Sequence, residues 1–300
     1  MSSVGSVRSV GKPPTSLTAP TSLTVLLALV IPAPLHAQPE RVSIRTAPVP
    51  GLTSRMSITQ ELQFDISAAA LPAPMAMQGT VLLRFTQRTG SPDSLGVISA
   101  ELTYDTMAVN MSMNGVAMPQ STSLTGKAMV VKFDSAGTLL GVEVPADLEP
   151  LAGNIRQILA STLGNLPRNP IGVGDSTTVP LRTPLPFNAF GTSGAEAPVL
   201  EGTVTYRATR LIREGSDPIL TLDQVVAGTM KRPVEMPGLG TAQVDLRMEG
   251  TGTLVVNASN GLVRSGRNEA RITMNLDLGA GGIMTMTGTV RTTTSGTLVP

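Results

Sequence analysis

Cysteine and tryptophan are absent from the sequence, and its single histidine, His36, lies near the N-terminus. Without cysteine there is no disulfide framework, no thiol nucleophile and no acceptor for a lipid anchor. Histidine is the most frequent general base and a common metal ligand, so a single histidine leaves few candidate residues for either role. We therefore expect no enzyme activity, no metal site and no cofactor.

The first 37 residues have the pattern of a secretory signal. Arg8 and Lys12 precede an apolar run over 23–31, and small residues ending at Ala37 follow it. Such a run is too short for a bilayer, which takes about 20 apolar residues to cross. We expect a signal peptide over 1–37, cleavage after Ala37, and one β-rich domain over 38–300. The protein is then expected to be soluble and periplasmic or secreted, from a bacterium.

Charge and aromatic content exclude two kinds of partner. The chain carries a net charge of +1, which falls to −1 when residues 1–37 and their two basic side chains are removed. Nucleic-acid binding needs a basic footprint, which such a balance does not provide. Strands that cross an outer membrane carry aromatic girdles, yet the chain has only two tyrosines and five phenylalanines. We expect a protein that is neither nucleic-acid-binding nor membrane-integral.

Alternation of apolar and polar residues predicts most of the fold. Every second residue is apolar over much of 56–66, and the same period recurs through 75–144 and 200–293. This period with one polar face is typical of antiparallel sheet. A change of phase after Thr106 predicts a β-bulge, which bends a sheet. We predict a mainly β protein with a large curved antiparallel sheet, or half-barrel. Whether this sheet consists of two similar halves, over 38–145 and 171–300, stays open.

Only one segment departs from the strand period. Leu148, Leu151, Ile155, Leu159 and Leu163 recur at helical spacing, with polar residues between them. Asp147 precedes them as a candidate N-cap, and a glycine follows them as a candidate C-cap. We predict one central amphipathic α-helix over 147–163, joining the two halves and packing on the sheet.

Candidate catalytic and metal-binding groups have simpler explanations. Glu101 and Asp105 share one face of a strand, but polar neighbours on that face indicate a solvated surface rather than a carboxylate pair for hydrolysis. Methionines recur as Met-x-Met pairs at 75/77, 111/113 and 284/286, and thioethers are soft ligands that favour Cu(I). Each pair continues an apolar alternation, so core lining is the simpler interpretation and copper binding a minor alternative.

The order of elements resembles a known superfamily. Its layout is similar to that of secreted bacterial proteins of unknown function: long strands, a central helix, the segment Pro167-Arg-Asn-Pro-Ile-Gly-Val-Gly-Asp-Ser176 and a second run of strands. In those proteins Trp often stands where this chain has Thr177. The layout over 53–293 also resembles the LolA-like lipoprotein-carrier superfamily. That resemblance implies a half-barrel that holds acyl chains against a helix.

Two functions remain open from the sequence. Fifteen methionines and few aromatics give a pliable apolar lining, which favours binding of an acyl chain, a lipid or a lipoprotein moiety beneath the helix. The alternative is a non-enzymatic structural or protein-interaction module with a fully packed core. For the first function, the predicted apolar lining consists of Ile155, Leu159, Met75, Met77, Leu83, Leu102, Tyr104, Tyr206, Leu246 and Met248.

Overall fold

A computed structural model describes residues 40–69, 71, 73–118, 124–151, 166–184, 199–236, 240–279 and 282–300. All of these residues fall within one compact unit, 39–300. The described strands are β1 (Arg41–Val42), β2 (Thr53–Ala68), β3 (Met75–Thr89), β4 (Ile98–Met113), β5 (Val116–Ala117), β6 (Ala128–Phe133), β7 (Leu139–Glu143), β8 (Ile171–Gly172), β9 (Ser176–Pro184), β10 (Val199–Glu214), β11 (Asp217–Met236), β12 (Gly240–Asn257), β13 (Val263–Asp277) and β14 (Ile283–Val299).

Most strands belong to a single antiparallel sheet of 12 strands. Its order is β7-β6-β4-β3-β2-β14-β13-β12-β11-β10-β9, with β5 paired to β4. The chain enters the sheet in the middle at β2, runs outward to β7, resumes at the opposite edge with β9, and returns to the middle with β14. The sheet is open, because β7 and β9 form its two edges among the described residues. The predicted mainly β architecture with a large antiparallel sheet is confirmed.

The middle of the sheet joins the beginning and the end of the described chain. β2 pairs with β14 along its full length, from Thr53 opposite Val299 to Ala68 opposite Met284. Every other neighbour along the sheet path is a neighbour in sequence, apart from the short β5 branch. Two meanders, β2 to β7 and β9 to β14, therefore form one continuous sheet through the β2–β14 pairing.

The predicted β-bulge lies in β4. Arg84 of β3 pairs with Thr106, whereas the next residue, Phe85, pairs with Tyr104, so Asp105 has no partner in the register. The extra residue allows Tyr104 and Met107 to point to the same face although three positions separate them. The change of phase in the sequence is thus a true bulge, and this prediction is confirmed.

Residues 44–47, which we call the strap, show how strongly the sheet bends. The backbone N–H of Arg45 donates to the carbonyl oxygen of Ala258, after β12, at 2.9 Å. The hydroxyl of the adjacent Thr46 donates to the carbonyl oxygen of Ala136, between β6 and β7, also at 2.9 Å. In a flat sheet, five inter-strand spacings of about 4.8 Å would separate β6 from β13, roughly 24 Å. Adjacent residues can reach both turns only because the sheet curves.

The central helix is the main correction to the sequence prediction. The described part of the segment forms a 3₁₀-helix over Ala146–Leu151 and no α-helix. Asp147, the predicted N-cap, instead binds the ammonium group of Lys127, which holds the pKa of that carboxyl below its ordinary value. The carboxylate is therefore engaged by a residue 20 positions earlier in the sequence. The remainder of the predicted helix, 152–163, lies outside the described residues.

Apolar side chains form two separate buried clusters. The larger cluster fills one face of β9 to β13 and includes Val42 and Ile171 from the two-stranded sheet β1–β8, together with Ile44 of the strap. The smaller cluster lies on β4, β6 and β7, around Val131 and Phe133. Among the described residues, no helical segment has the length and hydropathy needed to cross a membrane.

Candidate ligand-binding face

One face of the sheet, which we call the inner face, carries the apolar residues of every long strand. Directly paired residues of antiparallel strands point to the same side, so the pairing defines rows of side chains that run across the sheet. One such row is rich in methionine. It crosses six strands, from β11 to β3, in the order Met230, Leu246, Met274, Met286, Ile66 and Met75.

Burial along this row changes at the middle of the sheet. Met230, Leu246 and Met274 are at most 5% exposed and belong to the larger cluster. Met286, on the next strand, is half-buried against the larger cluster, and Ile66 and Met75 beyond it are half-buried and belong to neither cluster. The same chemical surface is therefore packed in one half of the sheet and accessible in the middle.

The accessible region extends over four strands around the buried Phe64 of β2, and we call it the open part of the inner face. Its width covers β14, β2, β3 and β4, and its length on β4, from Met107 to Met113, is roughly 20 Å at about 3.3 Å per residue. The largest contiguous apolar patch of a monomeric protein, typically about 300–600 Å², is often a binding site. Its half-buried members are Met284, Met286, Val290, Ile58, Leu62, Ile66, Met75, Met77, Val81, Leu83, Met107, Val109, Met111 and Met113.

Charge is excluded from this region. The described inner-facing positions of β14, β2, β3 and β4 hold apolar, glycine or uncharged polar residues, while the arginines and carboxylates of these strands occupy the opposite face. Apolar surface without charge attracts apolar groups and disfavours ions, which lose hydration there. The open part can therefore hold a hydrocarbon chain but offers nothing to neutralise an ion.

The structure places eight predicted lining residues on the inner face and divides them by burial. Met75, Met77 and Leu83 lie in the open part, and Met248 is half-buried beside the larger cluster. Tyr104 contacts the ring of Phe85, with 5.9 Å between centroids. Leu102, Tyr206 and Leu246 are packed inside the clusters. The other two predicted lining residues, Ile155 and Leu159, lie outside the described residues.

Sequence patterns did not identify the half-buried residues of β2 and β14 as lining. Ile66 and Met286 share a row with the predicted Met75, but strands β2 and β14 lie far apart in the sequence. Their alternation was visible, but the pairing that makes them neighbours was not. The methionine pairs contribute to the same surface, and Met77 is the direct cross-strand partner of Met113.

The outer face carries a polar groove of about 690 Å³ across β12, β13, β14 and β2. Within it, Arg291 Nε lies 2.9 Å from Glu269 Oε2, and this carboxylate raises the pKa of the guanidinium. Glu61 is the cross-strand partner of Arg291 on the other side, which completes an alternating row of charges. These groups neutralise one another at a solvent-exposed surface, so we interpret the groove as a charge ladder that stabilises pairing.

The segment that resembles secreted bacterial proteins has a structural role around Asp175. Val173 and Gly174 form a turn, and β9 begins at Ser176. Asp175 Oδ2 accepts the N–H of Gly172 at 2.8 Å and lies 3.2 Å from Arg41 Nε. The carboxylate thus ties β8 to β1 and closes the turn before the edge strand.

Comparison with known proteins adds little to this geometry. No protein-family model matches the chain, and no curated protein matches it. A solved structure described as "Lipid-protein interactions in lipovitellin" is similar over 81% of this chain, with 11% sequence identity and a TM-score of 0.45. This chain corresponds to 25% of the length of that lipovitellin chain. A similarity this remote does not bear on the function of the present protein.

Proposed function

We propose that this protein binds the hydrocarbon chain of a lipid, or of a lipoprotein moiety, on the open part of its inner face. The observation that supports the proposal is the change in burial along one row, from Met274 at 2% exposure to the half-buried Ile66 and Met75. A core that existed only for packing would be expected to bury the row throughout. Here the part of the row on β14, β2 and β3 retains accessible apolar surface that a ligand can cover.

The side chains of this region suit a ligand of variable shape. Seven methionines line it, on β3, β4 and β14, and their unbranched thioether side chains adapt to irregular apolar surfaces. Covering such surface releases about 25 cal/mol for each Å² removed from water. An apolar chain laid along the strands would therefore gain affinity mainly from area, without needing charged contacts.

The proposed setting is the bacterial periplasm or the exterior, reached through the signal peptide expected over 1–37. Resemblance to the LolA-like lipoprotein-carrier superfamily in the order of elements agrees with an acyl-chain ligand. We propose binding without catalysis, since the open part contains no general acid, base or nucleophile among its described residues. Ile155 and Leu159 remain predicted contacts from a covering segment.

Purified protein provides a direct test. Native mass spectrometry of material prepared without detergent should show lipid-mass adducts that organic extraction removes. Nile red, a neutral apolar dye, should then increase in fluorescence with the delipidated protein and be displaced by a saturated alcohol or ester. Absence of both adducts and saturable dye binding would contradict the proposal.

That negative result would favour the alternative, a structural or protein-interaction module. Its support is the larger cluster, where Tyr206 and Leu246 are 3% and 4% exposed and thus already packed. Cu(I) binding by the methionine pairs is a minor alternative, supported by the direct pairing of Met77 with Met113. Titration with Cu(I) under reducing conditions, followed by mass spectrometry, distinguishes it from lipid binding.

A further inference from the structure

A row of mainly polar residues crosses the mainly apolar inner face. Cross-strand pairing connects β10, β11, β12, β13, β14 and β2 through Tyr206, Gln224, Gly252, Asn268, Thr292 and Gln60. The two rows beside it are mainly apolar, for example Val226 and Val290 on one side and Leu222 and Leu254 on the other. Polar residues on such a face lose hydration and need hydrogen-bond partners there.

In the packed half of the sheet, a glycine of the row leaves space for a neighbouring polar side chain. A Cβ atom on Gly252 would lie 2.8 Å from Nε2 of Gln224, and Gln224 is 7% exposed. The missing side chain at Gly252 therefore leaves the space that the Gln224 amide occupies. This local arrangement keeps a polar group on the inner face where an apolar residue would pack more simply.

Asn268 is the next residue in the row and has an unsatisfied acceptor. Its Oδ1 is the one buried side-chain oxygen or nitrogen without a hydrogen-bond partner among the described residues. The next two positions, Thr292 and Gln60, are half-buried and belong to β14 and β2, the strands that carry the open part. The unsatisfied oxygen thus lies where the packed half meets the proposed ligand surface.

We infer that Asn268 Oδ1 accepts a hydrogen bond from an uncharged hydroxyl or amide N–H of the bound lipid. This inference rests on the proposed function and specifies its ligand class: a hydrocarbon chain with a neutral hydrogen-bond donor at one end. The row contains no cation, so a carboxylate at this position would lose hydration without gaining a counter-ion. Thr292 and Gln60 lie next along the row and complete a polar site for the same group.

Two ligands of equal chain length test the inference. Dodecanol carries a hydroxyl donor, whereas dodecyl methyl ether has the same chain and an oxygen that cannot donate. In competition with Nile red, wild-type protein should bind dodecanol about three- to tenfold more tightly, the value of one net hydrogen bond. Asn268→Leu should abolish that preference and leave binding of the ether within about twofold of wild type.

Matched variants locate the effect. Thr292→Val removes a hydroxyl from the inner face and should reduce the preference, whereas Thr293→Val removes one from the adjacent, outward-facing position and should not. If Asn268→Leu does not give a folded circular dichroism spectrum, Asn268→Ala makes the same comparison. Equal binding of the two ligands by wild-type protein, or an unchanged preference in the Asn268 variant, overturns the inference alone. Failure of both ligands to displace dye would instead reject the proposed function.

Discussion

The hydroxyl of Thr46 donates a hydrogen bond to the carbonyl oxygen of Ala136, 90 residues further along the chain, at 2.9 Å. This bond, with the Arg45–Ala258 bond beside it, connects turns that belong to different halves of the sheet. The strap thereby holds the curvature that brings the inner face around its clusters. Weakening the strap should therefore lower the stability of the whole sheet rather than of one hairpin.

Gly137 offers a test of this role. Its φ is +80°, and a Cβ there would lie 2.5 Å from the backbone N of Ala47 in the strap. Gly126 has nearly the same φ, +77°, but no atom within 4 Å of a Cβ. Gly126→Ala should cost only the left-handed backbone penalty, about 1–2 kcal/mol. Gly137→Ala should cost clearly more in urea denaturation, and equal losses would show that the strap contact is unimportant.

The buried Asn257 and the half-buried Asn268 should respond differently to the same substitution. Asn257 is 1% exposed, donates to Asp217 Oδ2 at 3.0 Å and accepts the N–H of Ser259 at 3.0 Å. Asn257→Leu removes both bonds and should lower the free energy of unfolding by about 2–3 kcal/mol. Asn268→Leu removes an unsatisfied acceptor and should leave stability unchanged or raise it by about 1 kcal/mol.

Thermal and urea denaturation of the ligand-free variants provide the comparison. A higher free energy of unfolding in Asn268→Leu would show that Asn268, a binding group, lowers the stability of the ligand-free protein. A loss at Asn268 as large as that at Asn257 would mean that the Asn268 side chain has partners in the folded protein, and the site would lose its basis.

Alkaline pH should destabilise the protein through Tyr206. Burial raises the pKa of Tyr206 to about 12, whereas a tyrosine in the unfolded chain ionises near 10. The stabilising effect of the neutral ring is thus complete below pH 10 and decreases as pH rises toward about 12, by up to about 1.4 kcal/mol per pH unit. Tyr206→Phe should remove this contribution to the pH dependence of unfolding.

Tyrosinate absorbance measures the same effect directly, because the chain has two tyrosines and no tryptophan. In Tyr104→Phe protein the remaining transition should belong to Tyr206 and lie well above pH 10 while the protein stays folded. A midpoint near 10 without unfolding would show that Tyr206 is accessible to water and that the larger cluster does not exclude water from its ring.

Local sequence patterns predicted which residues form strands and which face each side chain takes. Alternation has a period of two in any strand, so residues such as Leu246 and Met77 were both assigned correctly to the inner face. The bulge at Asp105 was also predictable, since it changes the phase of that alternation. The burial of each residue was not predictable from alternation. Leu246 is packed and Met77 is half-buried, because burial depends on what covers each part of the sheet.

Long-range pairing and the central segment were beyond local patterns. Nothing in the alternation of β2 or β14 indicates that these strands pair, yet that pairing places Met286 beside Ile66. Helical spacing near Leu148 predicted an α-helix from Asp147, but the described part forms a 3₁₀-helix and Asp147 binds Lys127. A side chain engaged with a residue 20 positions away cannot be anticipated from spacing alone.

The most direct test of lipid binding by the open part uses two adjacent residues of β3. Met77 is half-buried on the inner face, and Gln78 is exposed on the outer face. Asparagine at position 77 would place an amide against the bound hydrocarbon, whereas asparagine at position 78 would remain in water. We expect Met77→Asn to weaken dye and dodecanol binding by about tenfold, with Gln78→Asn within about twofold of wild type. Unaltered binding in a folded Met77→Asn protein, or equal losses in both variants, would contradict binding at this face.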